Sequence, residues 1–338
     1  MSETTTDMVH FVSGEMMRRS TLALLAALTL FAAPSAKADT WPSRPIMLIV
    51  PFPAGGGTDA FARPLAQVLD QQLGTRVLIE NRAGAGGTAG AAVASKATPD
   101  GYTFFVGAAH HAIAPSIYAK LPYDIEKDFV PIALLSRPPH VVVVHPGKVQ
   151  AKTLAEFIAA AKANPGKINY ASGGNGTTHH LAGELFKLVT GTNLLHVPYR
   201  GAGPMMQDLV AGHVDMAFDA MGSSGPQIKS GAIRALAIAA PQRVPAFPDL
   251  PTVKELGVDY EVATWYALWA PAGTPPAITE RMQKEVLTAL QSPIIKDAWE
   301  KAGSDVPNLT GEAFGKFVSQ EVARWRKVVQ DSNVKIEQ

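Results

Sequence analysis

An apolar segment that runs through three glycines into an amphipathic helix constrains this chain more than any other feature. Ile46-Met-Leu-Ile-Val50 is apolar throughout, and Pro51-Phe-Pro-Ala-Gly55-Gly56-Gly57-Thr58-Asp59 follows at once. Phe61, Leu65, Val68, Leu69 and Leu73 then recur on one helical face, with Thr58 or Asp59 as the expected N-cap. A buried strand that feeds a helix through bare backbone belongs to an α/β fold. Amide N–H groups open at such a helix start favour negative charge. The arrangement returns at Ser172-Gly-Gly-Asn-Gly-Thr177, after Lys167-Ile-Asn-Tyr-Ala171. Two such loops facing one another make an anion cradle, which is a geometry for capture rather than for chemistry.

The 338 residues are 47% hydrophobic, with 29 glycines and 26 prolines, enough for two globular domains. A net charge of +1 without a basic run excludes a nucleic-acid partner. There is no cysteine, which excludes disulfides, a cysteine nucleophile and a lipid anchor on cysteine. Met17-Arg18-Arg19, the apolar stretch 21–33 and Ala36-Lys37-Ala38 read as the basic region, core and A-x-A cleavage site of an export signal. Residues 1–38 are accordingly expected to be signal peptide and N-terminal extension, with cleavage near Ala38. The mature protein is then a soluble periplasmic monomer with no direct membrane anchor.

Further strands are expected at 76–80, 102–106, 132–135 and 141–144, with a helix at 88–97. A second unit starts near Thr153, where Thr153-Leu-Ala-Glu156 is a capping box. Its strands are expected at 167–171, 193–197, 214–218 and 232–239. A long strand at 261–271 and helices at 293–302 and 311–330 close the chain. This alternation implies doubly wound, mostly parallel sheets. Lobe 1 is expected to comprise 39–144 plus 262–338 and lobe 2 145–261, with crossings near Val144 and Val262 serving as a hinge.

Several motifs, in order, resemble the Bug (TctC-like) family of substrate-binding proteins of tripartite tricarboxylate transporters. They are Pro51 to Asp59 with Ala62-Arg63, Glu80-Asn-Arg-Ala-Gly-Ala-Gly-Gly-Thr-Ala-Gly90 and Pro99-Asp-Gly-Tyr102. Leu121-Pro-Tyr-Asp124, His196-Val-Pro-Tyr-Arg-Gly201 and Phe247-Pro-Asp-Leu-Pro-Thr252 continue the series. The resemblance implies a two-lobed, hinged periplasmic-binding-protein fold of type II, no catalysis, and capture of carboxylates through backbone amides and bridging waters. The partner it implies is a membrane permease of one large and one small subunit.

The candidate ligand-binding residues are Phe52, Ala54, Gly57, Thr58 and Asp59 from the first loop, with Asp59 a cap that also reaches ligand. Ala109 and His110 join them from the connection after 102–106. Ser172, Gly174, Asn175, Gly176 and Thr177 come from the second loop, and Asp219 follows the strand 214–218. His110 donating to a carboxylate suits the cradle, whereas the adjacent His110 and His111 point too far apart to share a metal. His180 and Glu184 read as a helix-surface pair, and Arg200 either clamps a distal carboxylate or braces the second lobe. Phe52, Trp265, Tyr266 and Trp269 are aromatics open to stacking on a ligand ring; Trp265 and Trp269 read as core by default, and only Phe52 is placed by its loop to touch ligand. No metal, cofactor or catalytic residue is expected.

These readings converge on a receptor that captures a small carboxylate, a di- or tricarboxylate or an aromatic acid, and delivers it to a transporter. Two rivals stand beside it. A sensor partner of a membrane kinase would use the same lobes. An exported hydrolase would need a Gly-x-Ser-x-Gly elbow, and Gly222-Ser-Ser-Gly225 has the wrong spacing.

Overall fold

The computed structural model describes residues 41–304 and 306–331, so the expected export signal lies outside the described residues. The chain builds two five-stranded sheets of matching topology. The first contains β1 (Ile46–Val50), β2 (Val77–Asn81), β3 (Thr103–Ala108), β4 (Phe129–Ser136) and β10 (Tyr266–Pro271), in the order β2-β1-β3-β10-β4. The second contains β5 (His140–Val144), β6 (Asn169–Ser172), β7 (Leu195–Pro198), β8 (Met216–Ala220) and β9 (Arg234–Ile238), in the order β7-β6-β8-β5-β9.

Each sheet is parallel except for one strand. β10 runs antiparallel to β3 and β4, and β5 runs antiparallel to β8 and β9. Both are the first strand after a crossing between sheets. This corrects the expectation that 141–144 precedes the crossing. His140 to Val144 are all fully buried, and a β-branched run of that kind suits the interior of a sheet covered on both faces. The long strand expected at 261–271 is shortened to β10 for a related reason. Its first residues bond to the other crossing segment instead: Pro139 bridges Ala263, Thr264 N–H donates to Pro138 O at 3.2 Å, and His140 N–H donates to Val262 O at 2.9 Å.

Ten helices follow among the described residues, numbered in chain order: α1 (Gly57–Leu73), α2 (Thr88–Ala94), α3 (His110–Ile117), α4 (Leu154–Ala163), α5 (Thr178–Thr190), α6 (Ala202–Val210), α7 (Met221–Lys229), α8 (Pro276–Leu290), α9 (Pro293–Lys301) and α10 (Gly311–Asp331). The capping box forms, with Thr153 Oγ1 accepting from Glu156 N–H at 3.2 Å and starting α4. The N-cap of α1 is Gly56 rather than Thr58 or Asp59. None of these helices is long and apolar enough to cross a membrane.

Each sheet has its own core. Phe105, Trp265, Trp269 and Leu134 anchor the first, and Tyr170, Phe186, Phe218 and Val142 the second. The last helix serves both, beyond the expected packing on the first lobe. Phe314, Val318 and Val322 of α10 enter the first core, while Trp325 and Val329 enter the second. Between them buried Glu321 accepts from the indole N–H groups of Trp265 at 2.8 Å and Trp325 at 3.2 Å. The parallel strands β1, β3, β6 and β8 each open into a helix at their C-terminal ends, where ligands bind in α/β sheets.

Candidate functional site

The C-terminal ends of both sheets border one cleft. Its walls are Phe52, Gly56, Gly57, Thr58, Ala108 and His110 from the first lobe, and Gly173, Thr177, Thr178, His179, Ala202 and Ser223 from the second. Thr264 and Tyr266 supply the floor from the crossing segment and β10. None of these side chains is Lys, Arg, Asp or Glu, so a bound anion would be met by dipoles alone. Among the described residues no cluster of His, Asp and Glu is arranged to hold a metal.

On the first wall, no side chain caps α1. The amides of Gly57 and Thr58 therefore have no acceptor within the helix, and both residues line the cleft. Gly57 has to be glycine, since a Cβ there would collide with the Tyr266 hydroxyl. Asp59 sits at the same helix start but turns away. Its carboxylate accepts from Gly55 N–H at 2.9 Å, Arg63 Nε at 2.6 Å and Nη2 at 2.9 Å, and Asn81 Nδ2 at 3.0 Å. Burial alone would raise its pKa, but these bonds outweigh burial and hold it below the ordinary value. This locks the loop and keeps a negative charge off the cleft, so the expectation that Asp59 also reaches ligand is corrected. Ala54 lies outside the cleft, on a neighbouring groove with Gly55 and Gly203. Ala109 is fully buried, its N–H donating to Trp265 O at 3.0 Å, and Ala108 takes its place on the wall.

His110 does face the cleft, braced edge-to-face by Phe52 at 4.6 Å. His111 Nδ1 lies 3.0 Å from Ala108 N and 3.1 Å from Ala108 O, and its Nε2 lies 3.0 Å from His110 Nε2. Burial, then His111 and His179, hold His110 far below the ordinary imidazole range, and burial takes His111 down to about 4. Both rings are neutral at pH 7.

The second wall is built differently. Gly174 N–H donates to Ser172 Oγ at 3.1 Å, Thr177 N–H to Gly174 O at 3.2 Å, and Gly176 N–H to His180 Nδ1 at 3.2 Å. Ser172, fully buried, also lies 2.6 Å from His196 Nε2, and His196 stacks on His180 with centroids 4.1 Å apart. Ser172, Gly174 and Gly176 thus shape the turn from behind and do not line the cleft. Asn175 is exposed, and its carbonyl approaches Gly86 across the lobes. His180 is buried rather than on the helix surface, which corrects its reading as a surface pair with Glu184. Arg200 is exposed and does not line the cleft.

What the second wall offers instead is the start of α5. Thr177 Oγ1 caps His180 N–H, leaving the amides of Thr178 and His179 without an acceptor in the helix. Asp219 does not line the cleft. It lies fully buried behind His179, 2.9 Å from its Nε2, and accepts from the hydroxyls of Ser223 and Ser224 at 2.6 Å each. His140, also buried, packs beside His179 with its ring centroid 5.3 Å away. Burial and then His179 take His140 down to about 3.

The walls touch. The Cβ position of Gly201 lies 3.1 Å from Pro53 Cδ, and that of Gly203 lies 3.8 Å from Ala54 O. The space between them is about 30 Å³, room for a water or two, so a larger guest needs the lobes to part. Thr178 and His179 were within reach of the sequence, being the two residues that follow the second glycine turn, and Tyr266 was within reach as an aromatic open to stacking on a ligand. Thr264 was not, because it comes from a crossing segment far from either loop.

Proteins of known structure share this architecture along almost the whole chain. The periplasmic binding protein BugD is 35% identical with a TM-score of 0.84, covering 88% of this chain and 100% of its own. Rpa4515 of R. palustris with adipate is 34% identical with a TM-score of 0.84, over 87% of this chain and 99% of that one. MatC of Rhodopseudomonas palustris with bound malate is 33% identical with a TM-score of 0.81, over 86% and 100%. Over residues 61–334 the sequence also matches the family described as "Tripartite tricarboxylate transporter family receptor". With two matching sheets, a cleft at their strand ends and this match, the chain belongs to the tripartite tricarboxylate transporter receptor (TctC, Bug) family of periplasmic solute-binding proteins.

Proposed function

We propose that this receptor captures a small carboxylate in the periplasm and hands it, unchanged, to the permease of a tripartite tricarboxylate-type transporter. One observation carries the reading: two helix starts from different sheets open onto one cleft whose lining has no ionised side chain. Free first-turn amides and aligned dipoles suit a carboxylate. Amides enclosed without a guest are costly, so a ligand that satisfies them favours closure over the open form. The adipate and malate held by two relatives support the class of ligand.

A thermal-shift screen of mono-, di- and tricarboxylates tests the reading. A true ligand at 100 times its Kd adds about 2.7 kcal/mol of stability, and chromatography recovers it unaltered. Stabilisation by sugars or phosphates, with no response to any carboxylate, would refute the ligand class. Chemical conversion of the ligand would refute the receptor role.

A further inference from the structure

We infer that His179 makes the cleft select acids that carry a hydrogen-bond donor, a hydroxyl or an ammonium, beside the carboxylate. The inference rests on the carboxylate-receptor reading and narrows it to a subclass.

The argument starts behind the wall. Asp219 is fully buried, with Oδ2 taking two hydroxyl hydrogens, from Ser223 and Ser224, and Oδ1 lying 2.9 Å from His179 Nε2. A carboxylate has no hydrogen to give, so Nε2 carries the proton of that bond. Burial would protonate Asp219, but His179 and the two serines outweigh it and keep its pKa below the ordinary value. The other ring nitrogen, Nδ1, is buried and has no hydrogen-bond partner. It lies 3.3 Å from the Cβ position of Gly173, itself a wall residue. With the ring hydrogen committed to Asp219, Nδ1 is left beside the wall as an acceptor.

That acceptor stands out in its setting. Gly57, Thr58 and Thr178 bring helix-start amides to the cleft, whereas the ring of His179 brings an acceptor with no hydrogen of its own to give. A plain dicarboxylate presents only acceptors and would place an oxygen against Nδ1. A 2-hydroxy or 2-amino acid fills the donor sites with its carboxylate and gives its own hydrogen to Nδ1. Sites built around such a hydrogen bond reject analogues that lack it. Asp219 is the positioning residue, acting only through the His179 tautomer.

Calorimetry with malate and succinate, which differ by one hydroxyl, tests the inference on the wild-type protein. Malate should bind about tenfold or more tightly than succinate. ¹⁵N correlation spectra of the ligand-free protein should show His179 as the Nε2–H tautomer. Asp219→Asn turns its amide NH₂ toward Nε2, because the serine hydroxyls claim the oxygen, and moves the ring proton to Nδ1. The malate preference should then shrink or invert. Equal wild-type affinities, or an Nδ1–H tautomer, would overturn the inference and leave the receptor reading standing. Failure of every carboxylate to bind would overturn both. Should Asp219→Asn fail to fold, the wild-type ratio and tautomer still decide.

Discussion

The two glycine loops look like copies in sequence and do opposite things in structure. The first, Phe52 to Asp59, leaves its helix start uncapped and holds itself together from outside the cleft, through Asp59, Arg63 and Asn81. The second, Ser172 to Thr177, uses its own amides internally, on Ser172 Oγ, Gly174 O and His180 Nδ1. Glycine-rich turns at helix starts are therefore not interchangeable. What matters is which amides the loop's own acceptors leave over, and the second lobe answers its neighbour with the first turn of α5 and a histidine.

Acid should separate the loops by the largest margin. His180 accepts the Gly176 amide only while neutral, and burial takes its pKa down to about 4 from 6.5. A lowered histidine value means that the unfolded chain binds the proton first. Its stabilisation is intact above pH 6.5 and is lost as pH falls toward 4, on the order of 3 kcal/mol for this one group. Asp59, with its value lowered below 3.8, loses its contribution only at still lower pH. Hydrogen exchange at pH 5 should show the amides of 173–177 opening while Gly55 stays protected. Simultaneous opening would break the contrast.

Asp59→Ala attacks the other loop. It strands the Gly55 amide, Asn81 and the Arg63 fork, and should cost about 2 kcal/mol in urea unfolding. Ligand affinity measured where the variant is fully folded should fall much less. The reverse pattern, intact stability with binding abolished, would place Asp59 on the ligand and undo the distinction.

Where the loops meet, Gly201 stands at φ 125° with its Cβ position 3.1 Å from Pro53 Cδ. Gly201→Val would wedge the walls apart, and carboxylate affinity should drop about tenfold, or 1.4 kcal/mol. Small-angle scattering with ligand present should report a more open particle. The smallest effect belongs to Thr177→Ala, which removes the α5 cap and should cost about 1 kcal/mol. The corresponding Gly56→Ala should change stability differently, because no side-chain cap exists there to lose.

Much of this was legible in the residues themselves. Apolar runs such as Ile46–Val50 placed the strands, and the Thr153–Glu156 box marked a helix start to the residue, because period and capping are local properties. Phe52, Gly57, Thr58, His110 and Thr177 were chosen from the chain and do line the cleft. Asp59, Ala54, Ala109, Ser172, Gly174, Asn175, Gly176 and Asp219 were chosen on the same grounds and do not. Position in a loop says that a residue is near a cleft. It does not say which way its polar atoms turn.

From the sequence alone came the α/β class, the two glycine turns and the family, since strand period, backbone freedom and ordered motifs are written along one dimension. Tertiary structure decided the rest. It put β5 in the second sheet, brought Thr264 and Tyr266 beneath the loops, turned Asp59 outward and set Asp219 behind His179. Those outcomes depend on which donor finds which acceptor across segments dozens of residues apart, and only the packed molecule settles that competition.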